Sequence, residues 1–289
     1  MSALPVIDSH CHAWTCWPYS PPVPDPRTCA RVEHLLYEMD DCGVDQALIV
    51  CARIKHNPRN NDYIATEVAQ HPGRLHQAAD LDCEWTATYH RPGAARRLRE
   101  MAQRWPLKAF THYLRREDDG AWLYSEEGLE VFRSAEELGL IASLACYPHQ
   151  HAAVRRAAER FPMVPFLVHH LGLVHLGSSS AGENLHQVLL SARMPNIYLK
   201  VSGFGYPAEL AWEYPYPAAR ETLRAEYEHF GPRHLCWGSD YPVVRYFMTY
   251  RQSLEVLRRH CDFIPASEMA WVTGGNLGWL LGTEPGLPG

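Results

Sequence analysis

The chain alternates short apolar runs with longer segments whose apolar residues recur at helical spacing, and turn residues separate the two kinds. The apolar runs lie at 6–12, 44–52, 75–81, 107–114, 140–146, 164–171, 196–203 and 235–240. Runs of this length between turn signals predict buried strands. The intervening segments 31–42, 62–70, 94–105, 126–138, 151–161, 184–193, 218–230 and 250–260 predict amphipathic helices. Their ends carry helix punctuation. Ser125 can cap the helix over 126–138, Glu126 and Glu127 suit its first turn, and Gly139 can take the left-handed conformation past its end, as Gly43 can for the first helix. A helix between each pair of consecutive apolar strands predicts parallel pairing through right-handed crossovers. Eight such units predict a closed (β/α)8 barrel. The alternative, an open doubly wound sheet, normally places phosphate-binding glycines after its first strand, where this chain has His10-Cys11-His12. A Pro-rich loop over 18–26 follows the first strand and is a candidate lid. The length past the eighth helix predicts a C-terminal helical extension.

Composition narrows the class. At 289 residues, 46% hydrophobic and 21% charged, the chain suits one barrel domain over 1–289 with a full core. A net charge of −6 offers no basic footprint for nucleic acid and no cationic face for a membrane surface. The partner expected is therefore a small molecule, with self-association into a homo-oligomer left open. Nine Cys without a CxxC pair, no secretory leader and no long apolar span read as reduced thiols in a cytoplasmic protein. Histidine stands out: 17 copies against 27 Lys plus Arg. Imidazole titrates near neutral pH and ligates metals, so position decides which copies matter.

Three strand ends concentrate candidate chemistry. In Ile7-Asp8-Ser9-His10-Cys11-His12, strand alternation predicts that Asp8, His10 and His12 share one face, with both imidazoles at the C-terminal end where barrel active sites form. In Val164-Pro165-Phe166-Leu167-Val168-His169-His170, alternation allows only one of the adjacent imidazoles to face the barrel interior and turns the other toward the helices. Leu235-Cys236-Trp237-Gly238-Ser239-Asp240 ends an apolar strand in a carboxylate, which alone is ordinary turn chemistry. Strands 1 and 8 are neighbours in a closed barrel, so the three signals together bring imidazoles and Asp240 to one rim. Such a set suits a divalent metal with room for water, or a metal-free acid and base pair.

These residues carry a resemblance. His10-Cys11-His12, Val168-His169-His170-Leu171-Gly172, Leu199-Lys200-Val201-Ser202-Gly203, Trp237-Gly238-Ser239-Asp240-Tyr241-Pro242 and Gly275-Asn276-Leu277 resemble, in order and over nearly the whole chain, the amidohydrolase superfamily. Within it they resemble the amidohydrolase-related (amidohydrolase 2) group of sugar lactonases, pyrone dicarboxylate lactonase and related decarboxylases. The resemblance implies a TIM barrel with His10, His12, His170 and Asp240 as catalytic residues and metal ligands. It implies one divalent ion, zinc first, while the group also includes lactonases that use none. The strand 4 sequence Lys108-Ala109-Phe110-Thr111-His112-Tyr113 lacks the bridging Lys of dinuclear relatives, and Cys146-Tyr147-Pro148-His149-Gln150 resembles the lactonase-like members.

The reaction expected is hydrolysis of a lactone of a sugar acid or of a carboxylated product of aromatic breakdown, with Asp240 activating water. Alternatives are decarboxylation of an aromatic or unsaturated acid on the same scaffold, and a non-catalytic barrel that binds a metabolite. Lys200 and Arg115, with Arg116 beside it, are expected near the rim, where they can hold a carboxylate. Trp14, Trp17, Tyr19 and Tyr206 are expected to line the loops around a substrate ring. His169, His149 and His112 are second-rank candidates, and the remaining eleven histidines are assigned to surface or packing.

Overall fold

A computed structural model describes residues 4–283 apart from 21, 177–178, 209 and 211. Of the sequence expectations, residue 21 of the candidate lid and the first and last residues of the 1–289 domain lie outside the described residues. The elements alternate along the chain: β1 (Ile7–Cys11), α1 (Val32–Cys42), β2 (Gln46–Val50), α2 (Asn60–Gln70), β3 (Leu75–Asp80), α3 (Ala94–Arg104), β4 (Ala109–Tyr113), α4 (Glu126–Leu138), β5 (Ile141–Ala145), α5 (His151–Arg160), β6 (Phe166–Val168), α6 (Ala181–Leu189), β7 (Ile197–Val201), α7 (Pro217–Phe230), β8 (Leu235–Trp237) and α8 (Tyr250–His260). The strands pair in parallel in chain order from β1 to β8. A parallel bridge from Cys11 to Tyr241 joins β1 to the end of β8. The fold is a (β/α)8 TIM barrel.

The local signals act as read. Ser125 Oγ accepts from the Gly128 amide at 3.2 Å, and Gly139 and Gly43 end α4 and α1 at φ of 63° and 66°. Helix α6 starts at Ala181 rather than 184 and gives way to a tighter turn over Leu190–Arg193, because Met194 precedes a proline and must be extended.

Strand alternation divides the core. Ile7, Leu48, Ala109, Ile141, Leu167, Tyr198 and Cys236 fill the barrel interior, while Val32, Leu35, Val131, Phe132, Leu223 and Leu254 pack the helices against the outer face of the sheet. Two short helices, α9 (Ala266–Ala270) and α10 (Asn276–Leu281), form the C-terminal extension. Leu277 and Leu281 of α10 are buried against the interior residues at the strands' N-terminal ends, closing that mouth. Each contributes roughly 1.5–3 kcal/mol of apolar burial. The opposite mouth is left for chemistry. None of the nine cysteines is paired. Among the described residues no helix is long and apolar enough to cross a membrane.

One expectation fails at β1. Asp8 pairs with Ala47 and Cys11 with Ile49, so three steps on β1 oppose two on β2. This bulge inserts an extra residue and reverses the alternation, leaving Ile7 and His10 both inside. Asp8 does not share the face of His10 and His12. Its carboxylate instead accepts from the Ser239 amide at 2.9 Å, the Ser239 hydroxyl at 2.5 Å and the Tyr250 hydroxyl at 3.0 Å. It acts as a tie between β1, the β8 turn and α8.

Candidate active site

His10 and His12 stand at the C-terminal end of β1, and Asp240 stands three residues past β8. The seam between these strands fixes their approach: the Asp240 amide donates to the His10 carbonyl and the His12 amide to the Tyr241 carbonyl, both at 2.6 Å. Gly238 makes the approach possible, because a Cβ there would lie 2.7 Å from His10 Cβ and 2.8 Å from its amide nitrogen. Asp240 itself adopts a left-handed backbone, φ 60°. That conformation costs a non-glycine residue roughly 1–2 kcal/mol and turns the carboxylate back over the barrel mouth.

The carboxylate oxygens then divide. Oδ2 accepts from the Tyr206 hydroxyl. Oδ1 is buried with no hydrogen-bond partner among the described residues, 3.5 Å from both His10 Nε2 and His12 Nε2. The two Nε2 atoms lie 3.2 Å apart. His12 Nδ1 faces the Val50 carbonyl at 2.7 Å and must carry the proton there, which leaves Nε2 with its lone pair toward Asp240. Trp14 is fully buried and stacks on His12 at 4.9 Å, donating its indole N–H to the Ala52 carbonyl. It buttresses an imidazole. Two nitrogens and an orphaned carboxylate oxygen within 4.8 Å of one another fit a divalent ion of the zinc type, with coordination positions left over. For His10 to offer Nε2, its proton must sit on Nδ1 and be donated to the lone pair of the neutral Lys200 amine, Nζ at 3.1 Å.

A second layer lies beneath. Positions 198 and 200 of β7 face inward, so Lys200 is wholly buried. Its Nζ sits 2.8 Å from Ser143 Oγ, 3.1 Å from His10 Nδ1 and 3.4 Å from His169 Nε2. It is therefore not a rim cation reaching for substrate. Burial pulls its pKa down to about 7. Burial first, and the Lys200 charge next, holds the imidazoles of His10 and His169 well below the ordinary histidine range.

Both adjacent histidines reach the site, against the expectation that one turns outward. His169 continues the inward face of Leu167, with Nε2 2.7 Å from Ser143 Oγ. His170 adopts φ 52°, which breaks the alternation and swings its ring to 4.4 Å from His10, with Nδ1 3.0 Å from Ser202 Oγ. Burial pushes its pKa down to about 4. The four expected ligands do not form one set: His10, His12 and Asp240 group together, while His170 groups with His10 and the second-rank candidate His169. Tyr206 faces Asp240 and His170 together, and burial beside Asp240 raises its pKa well above the ordinary value.

The outer candidates lie elsewhere. Arg115 stacks its guanidinium over Tyr89 and donates to the Glu84 carbonyl. Arg116 stacks over Tyr147 beside a cavity of about 540 Å³ that His149 and His175 also line. His149 contacts the Asp118 carbonyl at 2.9 Å. His112 faces the Leu81 carbonyl and His90, stacked on Trp122. Trp17 and Tyr19 pack around Trp14 on the rim. Ser143, Ser202 and Tyr113 complete the site without having been singled out from sequence. Inward parity along β4 and β5 marks Tyr113 and Ser143, whereas a hydroxyl beyond a strand end, such as Ser202, carries no pattern.

Comparison with known proteins adds a lineage. The sequence model of the amidohydrolase family matches residues 7–276. L-fucono-1,5-lactonase of Burkholderia ambifaria is 30% identical over 137 residues, which is 45% of this chain and 45% of that protein. The match thus spans about half the length of that curated relative. Among solved structures, an amidohydrolase of Burkholderia multivorans with bound zinc superposes with a TM-score of 0.78 at 20% identity, covering 96% of this chain and 99% of that one. A probable 2-pyrone-4,6-dicarboxylic acid hydrolase of Acinetobacter baumannii, with citric acid bound, does so at 0.75 and 18%, again covering 96% and 99%. At these identities the likeness is one of fold.

Proposed function

The chain belongs to the amidohydrolase family, and on that footing we propose that it hydrolyses lactones, opening the cyclic ester of a sugar acid with Asp240 as the base that activates water. The observation that carries this reading is the divided carboxylate: Tyr206 anchors Oδ2, and Oδ1 is left buried, without a hydrogen-bond partner among the described residues and 3.5 Å from both imidazoles of the pair. A base held in this way can take a proton without first breaking a hydrogen bond.

The steps follow from the residues. Water lies between Oδ1 and the lactone carbonyl and loses a proton to Asp240 as its oxygen bonds to the acyl carbon. His170 is the group available to donate toward the developing oxyanion. The bond from the acyl carbon to the ring oxygen then breaks, and Asp240 returns the proton to the departing alkoxide, leaving the open hydroxy acid. A divalent ion held by His10, His12 and Asp240 supplies Lewis-acid polarisation of the carbonyl when bound. Lys200 keeps His10 oriented from below.

The substrate class follows from which cations are engaged. Lys200 is buried and engaged with site histidines, and Arg115 with Tyr89 and the Glu84 carbonyl, which supports a neutral, hydroxyl-bearing lactone over a dicarboxylated one. The likeness to a fuconolactonase over part of the chain supports the same class. The test is a panel of neutral aldonolactones and carboxylated lactones read by acid release with a pH indicator, with CO2 measured in parallel on aromatic acids. Acid from the neutral lactones is expected. CO2 release without lactone hydrolysis would replace this reading with the decarboxylase one, and no turnover on either panel leaves the barrel as a binder.

A further inference from the structure

The group formed by His10, His169 and His170 is a complete set of three nitrogen donors, yet an amine already stands against two of its members. Lys200 Nζ lies 3.1 Å from His10 Nδ1 and 3.4 Å from His169 Nε2, with Ser143 Oγ at 2.8 Å as its third contact. These atoms come from β1, from the middle of β5 and from the residue that follows β6, so Nζ sits among three neighbouring strand positions. A divalent ion bound to the same two nitrogens would take them at about 2.0–2.1 Å, inside the volume that Nζ fills. The amine cannot step aside, because Lys200 is wholly buried and its stem extends from the inward face of β7 through packed interior.

We infer that Lys200 is a tethered amine standing in the place of a second metal ion, and that it limits this histidine-rich barrel mouth to a single ion, on the side of His12 and Asp240. Burial makes the arrangement self-consistent. An uncompensated imidazole cluster is costly to desolvate, and Nζ supplies hydrogen-bond partners to His10, His169 and Ser143 at once. A second ion would supply the same contacts, and the chain uses a covalently fixed group for them instead. Among the described residues no carboxylate joins the His10, His169 and His170 group, so nothing there would let two ions share a bridge. His169 Nδ1 remains buried and without a partner among the described residues, so the imidazole depends on its Nε2 contacts alone for orientation.

This inference rests on the ion-binding geometry read above and is tested by counting ions rather than by activity. The whole chain, stripped with chelator and re-equilibrated with Zn2+, is assayed by elemental analysis after gel filtration. Wild type is expected to hold no more than about one ion per chain, as the three-ligand set predicts. Lys200→Ala is expected to hold one ion more than wild type, and His169→Ala in that background is expected to abolish the gain. Lys200→Glu, which places a carboxylate between the same imidazoles, is expected to show the same gain and a rise in melting temperature on adding Zn2+. Thermal melting identifies any variant that has not folded. Two ions in wild type, which needs no variant at all, or no gain in folded Lys200→Ala and Lys200→Glu, overturns the inference. A wild type without ions beside a variant with one upholds it while removing the metal from the lactonase reading. The lactone panel reports on that reading separately.

Discussion

Gly238→Ala tests the seam on which the site is built. The added Cβ would lie 2.7 Å from His10 Cβ, 2.8 Å from the His10 amide nitrogen and 3.0 Å from Ser9 Oγ. Two of these neighbours are fixed to the backbone of β1, which is held on its other side by β2, so the strain cannot be relieved by a side-chain rotation. Overpacking of a tight core usually costs about 1–3 kcal/mol, and the upper half of that range applies where backbone must move. For a chain of this size that corresponds to a melting temperature lower by on the order of 3–5 °C. The displacement also separates the Asp240 amide from the His10 carbonyl, now 2.6 Å apart, and so shifts the base relative to the imidazoles. Misplacement by about 1 Å can cost on the order of 100-fold in rate, so turnover is expected to fall further than stability alone predicts. Calorimetry and lactone hydrolysis are measured on the same preparation. Gly182→Ala, whose added Cβ meets nothing within 4 Å, serves as the control and is expected to melt at or slightly above wild type. If Gly238→Ala melts within a degree of wild type and keeps its turnover, the seam does not fix the site.

Further substitutions separate the roles of neighbouring groups. Tyr206→Phe removes the donor to Asp240 Oδ2 while keeping the ring; a hydrogen bond to a charged group contributes about 1.5–3 kcal/mol to stability, so melting is expected to fall by on the order of 2–5 °C and kcat to fall as the carboxylate loses its orientation, and an unchanged kcat removes Tyr206 from the account. Asp8→Ala strips an acceptor from the Ser239 and His10 amides and from the Ser239 and Tyr250 hydroxyls, and denaturant titration is expected to show a loss above about 3 kcal/mol, since buried unsatisfied groups cost roughly 1–3 kcal/mol each. Glu226 on α7 is buried, with neither carboxylate oxygen partnered among the described residues, and burial raises its pKa well above the ordinary value. The folded state therefore holds a proton that the unfolded state releases above its own lower pKa, so this group's contribution is full at acid pH and is lost as pH rises toward the folded value. Glu226→Gln should flatten that slope, raising the melting temperature near pH 7–8 more than near pH 4–5; parallel pH profiles for the two proteins would show that Glu226 does not titrate across folding.

Periodicity carried the barrel because each strand is buried on both faces and each helix on one, and those requirements are written residue by residue. The same alternation rule locates what it governs. It places Lys200 beside Tyr198 inside β7, and His169 beside Leu167 inside β6, so the burial of Lys200 was legible even though a cation suggests a rim. The rule fails where the backbone departs from a strand. The bulge between Asp8 and Cys11 turns Asp8 away from His10, and φ values of 52° at His170 and 60° at Asp240 bring side chains inward from positions that an extended chain would point elsewhere. None of the three departures has a glycine to announce it. They are held by tertiary contacts: Asp8 by Ser239 and Tyr250, Asp240 by the hydrogen bond from its backbone N–H to the His10 carbonyl, and His170 by Ser202. Tyr206 lies on a loop, and its proximity to Asp240 depends on Gly203, where a Cβ would meet the Tyr206 ring at 2.7 Å.

The central claim is that Asp240 activates water against a lactone, and the most direct measurement is kcat/KM for a neutral aldonolactone in wild type and Asp240→Asn, with melting temperatures taken alongside. The amide keeps the size of the side chain but cannot accept the proton, so a fall of about 10² to 10⁴-fold is expected, with melting close to that of wild type. A folded Asp240→Asn that retains most of the lactone hydrolysis of wild type contradicts the account.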